Sequence, residues 1–180
     1  MESSQYPELE NIFRNAGNFE DLFDGFRKAL SSRSGDIALY KTLLANKNLT
    51  PDQVSFFTEK LCAEYPEHKY DLCMWSGSVL SAKYYDYSYV EKALSYFLKA
   101  INTKKDSAEP YESIAGLYDS DLNMPDINLV TNVLNYGLKE SAKKSRICRA
   151  LAEIYGKTNN ISMKKRYLAL MEKYSRGESN

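Results

Sequence analysis

Apolar side chains recur along this chain at spacings of three and four, the stripe of an amphipathic helix, and short polar breaks separate the stripes. Tyr6, Leu9 and Phe13 open the series, and Asn15-Ala16-Gly17-Asn18 interrupts it. Leu22, Phe26 and Ala29 predict a second helix from Phe19 to Ser31. Ser34-Gly35-Asp36 supplies a turn and an N-cap for a third, striped by Ile37, Tyr40, Leu43 and Leu44. Thr50-Pro51-Asp52 opens a fourth, with a capping hydroxyl and proline in the first turn, and Val54, Phe57, Leu61 and Cys62 form its face. Tyr65-Pro66-Glu67 closes it.

A longer fifth helix, from about His68 to Tyr85, carries Leu72, Trp75, Val79, Leu80 and Tyr84. Ser88 caps the sixth, whose stripe is Ala93, Phe97 and Ala100. Ala108-Glu109-Pro110 starts the seventh, running through Ile114, Ala115 and Tyr118. Beyond the loop Asp121 to Pro125, Val130, Leu134 and Gly137 mark an eighth helix, Leu151, Ala152 and Tyr155 a ninth, and Met163, Tyr167 and Leu170 a tenth. The expected organisation is one domain over residues 1–174, in five antiparallel pairs at about 6–31, 36–65, 68–103, 108–139 and 142–174, with 175–180 as a polar tail.

The pairs keep a period. Leu9 to Leu43 and Tyr84 to Tyr118 are each 34 residues, and Leu43 to Leu80 and Ile114 to Leu151 are each 37. Within a pair, Ala93 and Ala100 are small enough for two helix axes to approach, and Tyr84 and Phe97 are large enough to fill the gaps beside them. In this register the chain resembles the tetratricopeptide repeat family. The resemblance covers the first, third and last pairs well. It is partial in the fourth and poor in the second, where Lys47 falls at the position of Tyr84. It implies an all-α, right-handed α-solenoid whose pairs are stabilised by stacking on their neighbours. A ten-helix bundle without solenoid order is the alternative.

Composition narrows the class further. Eight glycines and five prolines in 180 residues suit helices joined by short turns. Fifteen tyrosines are numerous, and a helical array can bury their rings while leaving the hydroxyls at its edge. No apolar run is long enough to span a bilayer, and MESSQYPELE has no basic or apolar leader region. Cys62, Cys73 and Cys148 are odd in number, lack CxxC spacing and lie in helical stripes, so buried free thiols and a cytoplasmic location are expected.

Motifs for chemistry are missing. The one histidine, His68, stands beside Pro66 and Glu67 without the second nitrogen or thiolate that zinc binding or acid–base work would want, and suits a solvated helix start. Ser76-Gly77-Ser78 lacks the flanks of a nucleophile elbow and suits a tight helix crossing. Asp119, Asp121 and Asn123 begin like a calcium loop, but Met124 occupies the position that needs glycine and Val130 the one that needs a carboxylate. There is no phosphate-binding glycine loop. Neither a cofactor nor a metal is expected, and enzymatic activity is the weakest reading.

The resemblance further implies which side chains face a concave groove, lined by the first helix of each pair. In the first two pairs these include Glu8, Asn11, Arg14, Lys41, Thr42, Ala45 and Asn48. The expected partner site lies further along, at Trp75, Ser78, Ala82, Tyr85, Glu109, Glu112, Arg146, Arg149 and Glu153. An apolar middle, an acidic stretch and a basic end would follow in that order. Some members of the family clamp a peptide C-terminus with Lys, Asn, Asn, Lys and Arg. Here Thr42 and Val79 stand where Asn and Arg would be needed, so that clamp is not expected.

Charge is unevenly placed. From Lys139 to Asn180 there are 11 basic and 4 acidic residues, against 13 and 20 in the rest. The plainer explanation is solvation of the terminal pair, and the functional one is an acidic partner. Nucleic acid fits less well, because the basic segment lacks interleaved aromatics on one obvious face. The chain therefore reads as a non-enzymatic module that binds a protein or peptide segment. Self-assembly through the last pair is the alternative, because Leu168 and Met171 lie off the Met163-Tyr167-Leu170 stripe.

Overall fold

The computed structural model describes residues 6–32, 35–82 and 87–178. Ten α-helices are present among them: α1 (Pro7–Asn15), α2 (Phe19–Ser31), α3 (Ile37–Leu44), α4 (Pro51–Glu64), α5 (Lys69–Ala82), α6 (Tyr87–Thr103), α7 (Glu109–Leu117), α8 (Ile127–Glu140), α9 (Lys144–Lys157) and α10 (Ile161–Glu178). Ser34, Tyr84 and Tyr85 lie outside the described residues.

Local chemistry sets the helix starts. The Asn18 side chain accepts from Asp21 N, Asp36 from Ala38 N and Leu39 N, and Asp126 from Asn128 N and Leu129 N. Thr50 forms a reciprocal capping box with Gln53. Three boundaries differ from expectation. A 3₁₀ turn, Pro66–His68, precedes α5, and Ser88 lies inside α6. The polar residues after 174 are helical as far as Glu178, whose carboxylate accepts from Ser145 N and Oγ at the start of α9. That bond caps α9 and gives the end of α10 a partner.

Helices pack mostly against their neighbours in sequence, with α5 on α6 and α9 on α10 the most extensive pairs. The first helices also touch in succession, α1 with α3, α3 with α5, α5 with α7 and α7 with α9. The expected stripes are buried: Leu22, Phe26 and Ala29, Leu72 and Leu80, Ala93, Phe97 and Ala100, and Val130 and Leu134. Within three pairs an aromatic ring lies directly on a glycine. A Cβ on Gly77 would stand 2.5 Å from Phe97, one on Gly137 2.8 Å from Tyr111, and one on Gly25 3.1 Å from Phe13. Glycine at these positions lets a whole ring occupy the helix crossing.

Hydrogen bonds tie each pair to the next. The buried Asn46 amide donates to Phe13 O (2.9 Å) and Ala16 O (3.1 Å), satisfying carbonyls at the end of α1. Tyr96 donates to Ser55 O (3.3 Å), Tyr70 pairs with Ser107 (2.8 Å), and Lys157 donates to Tyr118 O (2.8 Å). Partners in such bonds sit roughly one helix pair apart, so each tie joins adjacent units.

Candidate functional site

The side-by-side approach of α1, α3 and α5 opens a shallow cavity of about 540 Å³, lined by Arg14, Ala38, Lys41, Thr42, Ala45, Asn46, Lys47 and Trp75. Arg14 stands near the end of α1, Lys41 and Thr42 on the outer turns of α3, and Trp75 midway along α5. The indole N–H of Trp75 donates to Lys41 O at 2.9 Å, and the Lys41 ammonium lies 5.7 Å from the ring centroid. One bond and one cation–π contact thus fix the ring. Trp75 is nevertheless 37% exposed, so a broad apolar surface faces solvent where three helices meet.

The charge of this cavity has one sign. Arg14, Lys41 and Lys47 line it and none of its lining residues is a carboxylate. Arg14 also bonds Glu10 at 2.7 Å, one turn back on α1, with 63% of its own side chain exposed. Asn46 is committed to α1 and to Asn48 N, so it shapes the floor of the cavity. Chemically the arrangement suits an anionic group beside an apolar one, with the cations drawing the first and the indole covering the second.

The other expected site residues are dispersed or occupied. Arg146 forks onto Glu112, Nε to Oε1 at 2.9 Å and a terminal nitrogen to Oε2, across 34 residues from α9 to α7. Hydrogen bonding to Glu112 also raises the Arg146 pKa, against the lowering effect of burial. Glu109 accepts from the Tyr70 hydroxyl at 3.2 Å. The anticipated acidic stretch and basic end are therefore joined as an ion pair, because residues one period apart on successive first helices are neighbours. Ser78 bonds back to Met74 O at 2.9 Å and stays exposed with Ala82, while Tyr85 lies outside the described residues.

Arg149 and Glu153 line a separate open cavity of about 410 Å³ with Gly156, Lys157, Lys164 and Leu168, between α9 and α10. Its lining carries both signs, with Glu153 among Arg149, Lys157 and Lys164. His68 is 40% exposed at its side chain, 4.0 Å from Glu67, as a solvated helix start requires. Asp119 spends its carboxylate on a turn, accepting from Asp121 N (2.8 Å) and Leu122 N (3.1 Å). Among the described residues, no group of three or more His, Cys, Asp and Glu side chains could hold a metal ion. No helix among them is long and apolar enough to cross a membrane.

The residues that do converge include four, Arg14, Lys41, Thr42 and Ala45, that the resemblance put on the groove face but outside the expected partner site. Lys47 was assigned no role. A signal for the Lys41–Trp75 contact existed in the sequence, because the two are 34 residues apart. No family model, no curated protein and no solved structure matches the chain.

Proposed function

We propose that this chain is a tetratricopeptide-like, right-handed α-solenoid that binds a segment of a partner protein on the face lined by α1, α3, α5, α7 and α9, and that it acts as a non-enzymatic adaptor. The observation that carries the reading is the cavity of three cations around a fixed, open indole, without a lining carboxylate. The segment it suits has acidic side chains next to a large apolar one. Contacts between successive first helices support the solenoid order, since each unit then covers the open face of the one before. Ile161 (54% exposed) and Leu168 (37% exposed), both on α10, support self-association as a second reading.

An array of synthetic twelve-residue peptides, varied in charge and in one central aromatic or leucine, tests the first reading. Acidic peptides with the apolar centre should bind. Trp75→Ala should weaken them by about 2 kcal/mol, as for a buried aromatic anchor. Lys41→Glu with Lys47→Glu should mainly slow association and flatten the salt dependence. Selection of basic peptides, or affinities unchanged in all three substitutions, would remove this face from consideration. A mass that rises with concentration would instead favour self-association.

A further inference from the structure

Two cysteines that lack a sequence motif are brought together by the packing of α4 on α5. The helices run antiparallel around the Tyr65 turn, and their interface here is built from small polar side chains. Thr58 Oγ1 and Ser76 Oγ, both fully buried, are 2.7 Å apart. One turn further on, Cys62 lies four residues after Thr58 and Cys73 three residues before Ser76, a register that sets the two thiols side by side across the same seam. They are not equivalent: Cys73 is fully buried, whereas Cys62 is only partly buried and not enclosed as its stripe position predicts.

We infer that Cys62 and Cys73 are an oxidation site for hydroperoxides, with Cys62 the thiol that is attacked first and Cys73 the one that resolves it to a disulfide. Solvent reaches only the Cys62 side, so a small peroxide meets that sulfur first. The charges around the pair are Lys69, Lys99 and Glu59. The Cys73 hydrogen bond lowers the Cys62 pKa, opposed by burial and by Glu59 and helped by Lys69 and Lys99. Hydrogen bonding to Cys62 and burial push the Cys73 thiol up, which keeps its proton available as the donor.

The step balances without a metal. The Cys62 thiolate attacks one peroxide oxygen, the O–O bond breaks, and the departing hydroxide takes up the proton that Cys62 released. Cys62 is now a sulfenic acid. The Cys73 sulfur displaces its hydroxyl, forming the S–S bond, and the Cys73 proton leaves with that hydroxyl as water. Two thiols and one hydrogen peroxide yield one disulfide and two waters, and an organic hydroperoxide yields its alcohol in place of the first water. The product would join α4 to α5 covalently across the Tyr65–Pro66 turn.

The natural chain carries its own reference thiol. Cys148 is buried on α9, and burial pushes its thiol up to about 11. The experiment treats the intact protein with hydrogen peroxide, blocks remaining thiols with N-ethylmaleimide, and maps tryptic peptides by mass spectrometry. Cleavage after Lys60, Lys69 and Lys83 puts Cys62 and Cys73 on different peptides, so a disulfide appears as a crosslinked pair. The expected result is a Cys62–Cys73 crosslink formed roughly tenfold or more faster than any oxidation of Cys148. In Cys73→Ser, dimedone should capture a sulfenic acid on Cys62. Oxidation of Cys148 at an equal rate, crosslinks between chains through Cys62, or no 62–73 crosslink in the unmodified sequence would each overturn the assignment.

Discussion

Gly77→Ala is expected to destabilise the protein by about 1–3 kcal/mol, as overpacking of a filled core does. Helix propensity alone predicts the opposite sign, a gain of about 1 kcal/mol for alanine over glycine within a helix. The structure decides between them, because the new methyl carbon would lie 2.5 Å from the Phe97 ring, itself only 2% exposed. Gly137→Ala should behave alike, with its methyl 2.8 Å from Tyr111. Gly116 is the control. It is exposed on α7 with nothing within 4 Å of its Cβ position, so alanine there should stabilise by up to about 1 kcal/mol. Urea denaturation of the three variants measures the signs. Combining Gly77→Ala with Phe97→Leu should recover part of the loss, the coupling expected of residues in contact. Stabilisation in all three variants would mean that the ring does not sit on the glycine.

Stability should fall steeply above about pH 10, the ordinary range of tyrosine ionisation. Tyr40, Tyr96 and Tyr111 are buried within the helix pairs. Burial pushes all three hydroxyls up, that of Tyr111 to about 12, with the Tyr65 contact adding at Tyr40 and Glu59 at Tyr96. The sign follows from proton counts. Below pH 10 both states keep the phenol protons. Above it the unfolded chain releases them while the folded chain holds them, so the unfolded state binds fewer protons and unfolding becomes easier. Each such tyrosine contributes on the order of 1 kcal/mol per pH unit until its folded pKa is reached. Midpoints of urea unfolding between pH 9 and pH 12 should fall, and Tyr111→Phe should make the fall shallower. A flat profile across that range would place these hydroxyls in water.

The register of the third and fourth pairs was open to sequence reasoning, because Ala93, Phe97, Ala100 and Gly137 have sizes that only a tight crossing uses. Contacts between pairs were less open. Glu112 with Arg146, and Lys41 with Trp75, each span 34 residues, so the period alone could have predicted them. Reading the acidic and basic groups as successive stretches of a groove overlooked that equal positions on adjacent helices are neighbours. Asn46 left no trace in the apolar pattern, since its role is to satisfy carbonyls of another helix.

Two further features depend on geometry that hydrophobic periodicity does not carry. Phe56 falls off the α4 stripe, yet its ring lies 6.0 Å from Phe23 and 6.3 Å from Phe19, in an aromatic group shared by α2 and α4. Cys62 and Cys73 meet because α4 and α5 reverse at Tyr65 and share an interface of small side chains, whereas a spacing of eleven residues along a chain implies no contact. Stripes report which side of a helix is buried. They do not report which helix covers it.

The proposal that the face of α1, α3 and α5 holds an acidic segment is most directly tested by the emission of Trp75, the sole tryptophan of the chain. A twelve-residue probe peptide with acidic residues flanking a leucine is titrated into the protein at low and at physiological salt, with calorimetry in parallel. Covering the indole should shift its emission to shorter wavelength, saturate at the calorimetric stoichiometry and weaken as salt rises. Lys41→Glu with Lys47→Glu should slow the onset of the shift and flatten its salt dependence while leaving the helical circular dichroism intact. Binding seen by calorimetry without any change in Trp75 emission would contradict the account, because the ligand would then occupy another surface.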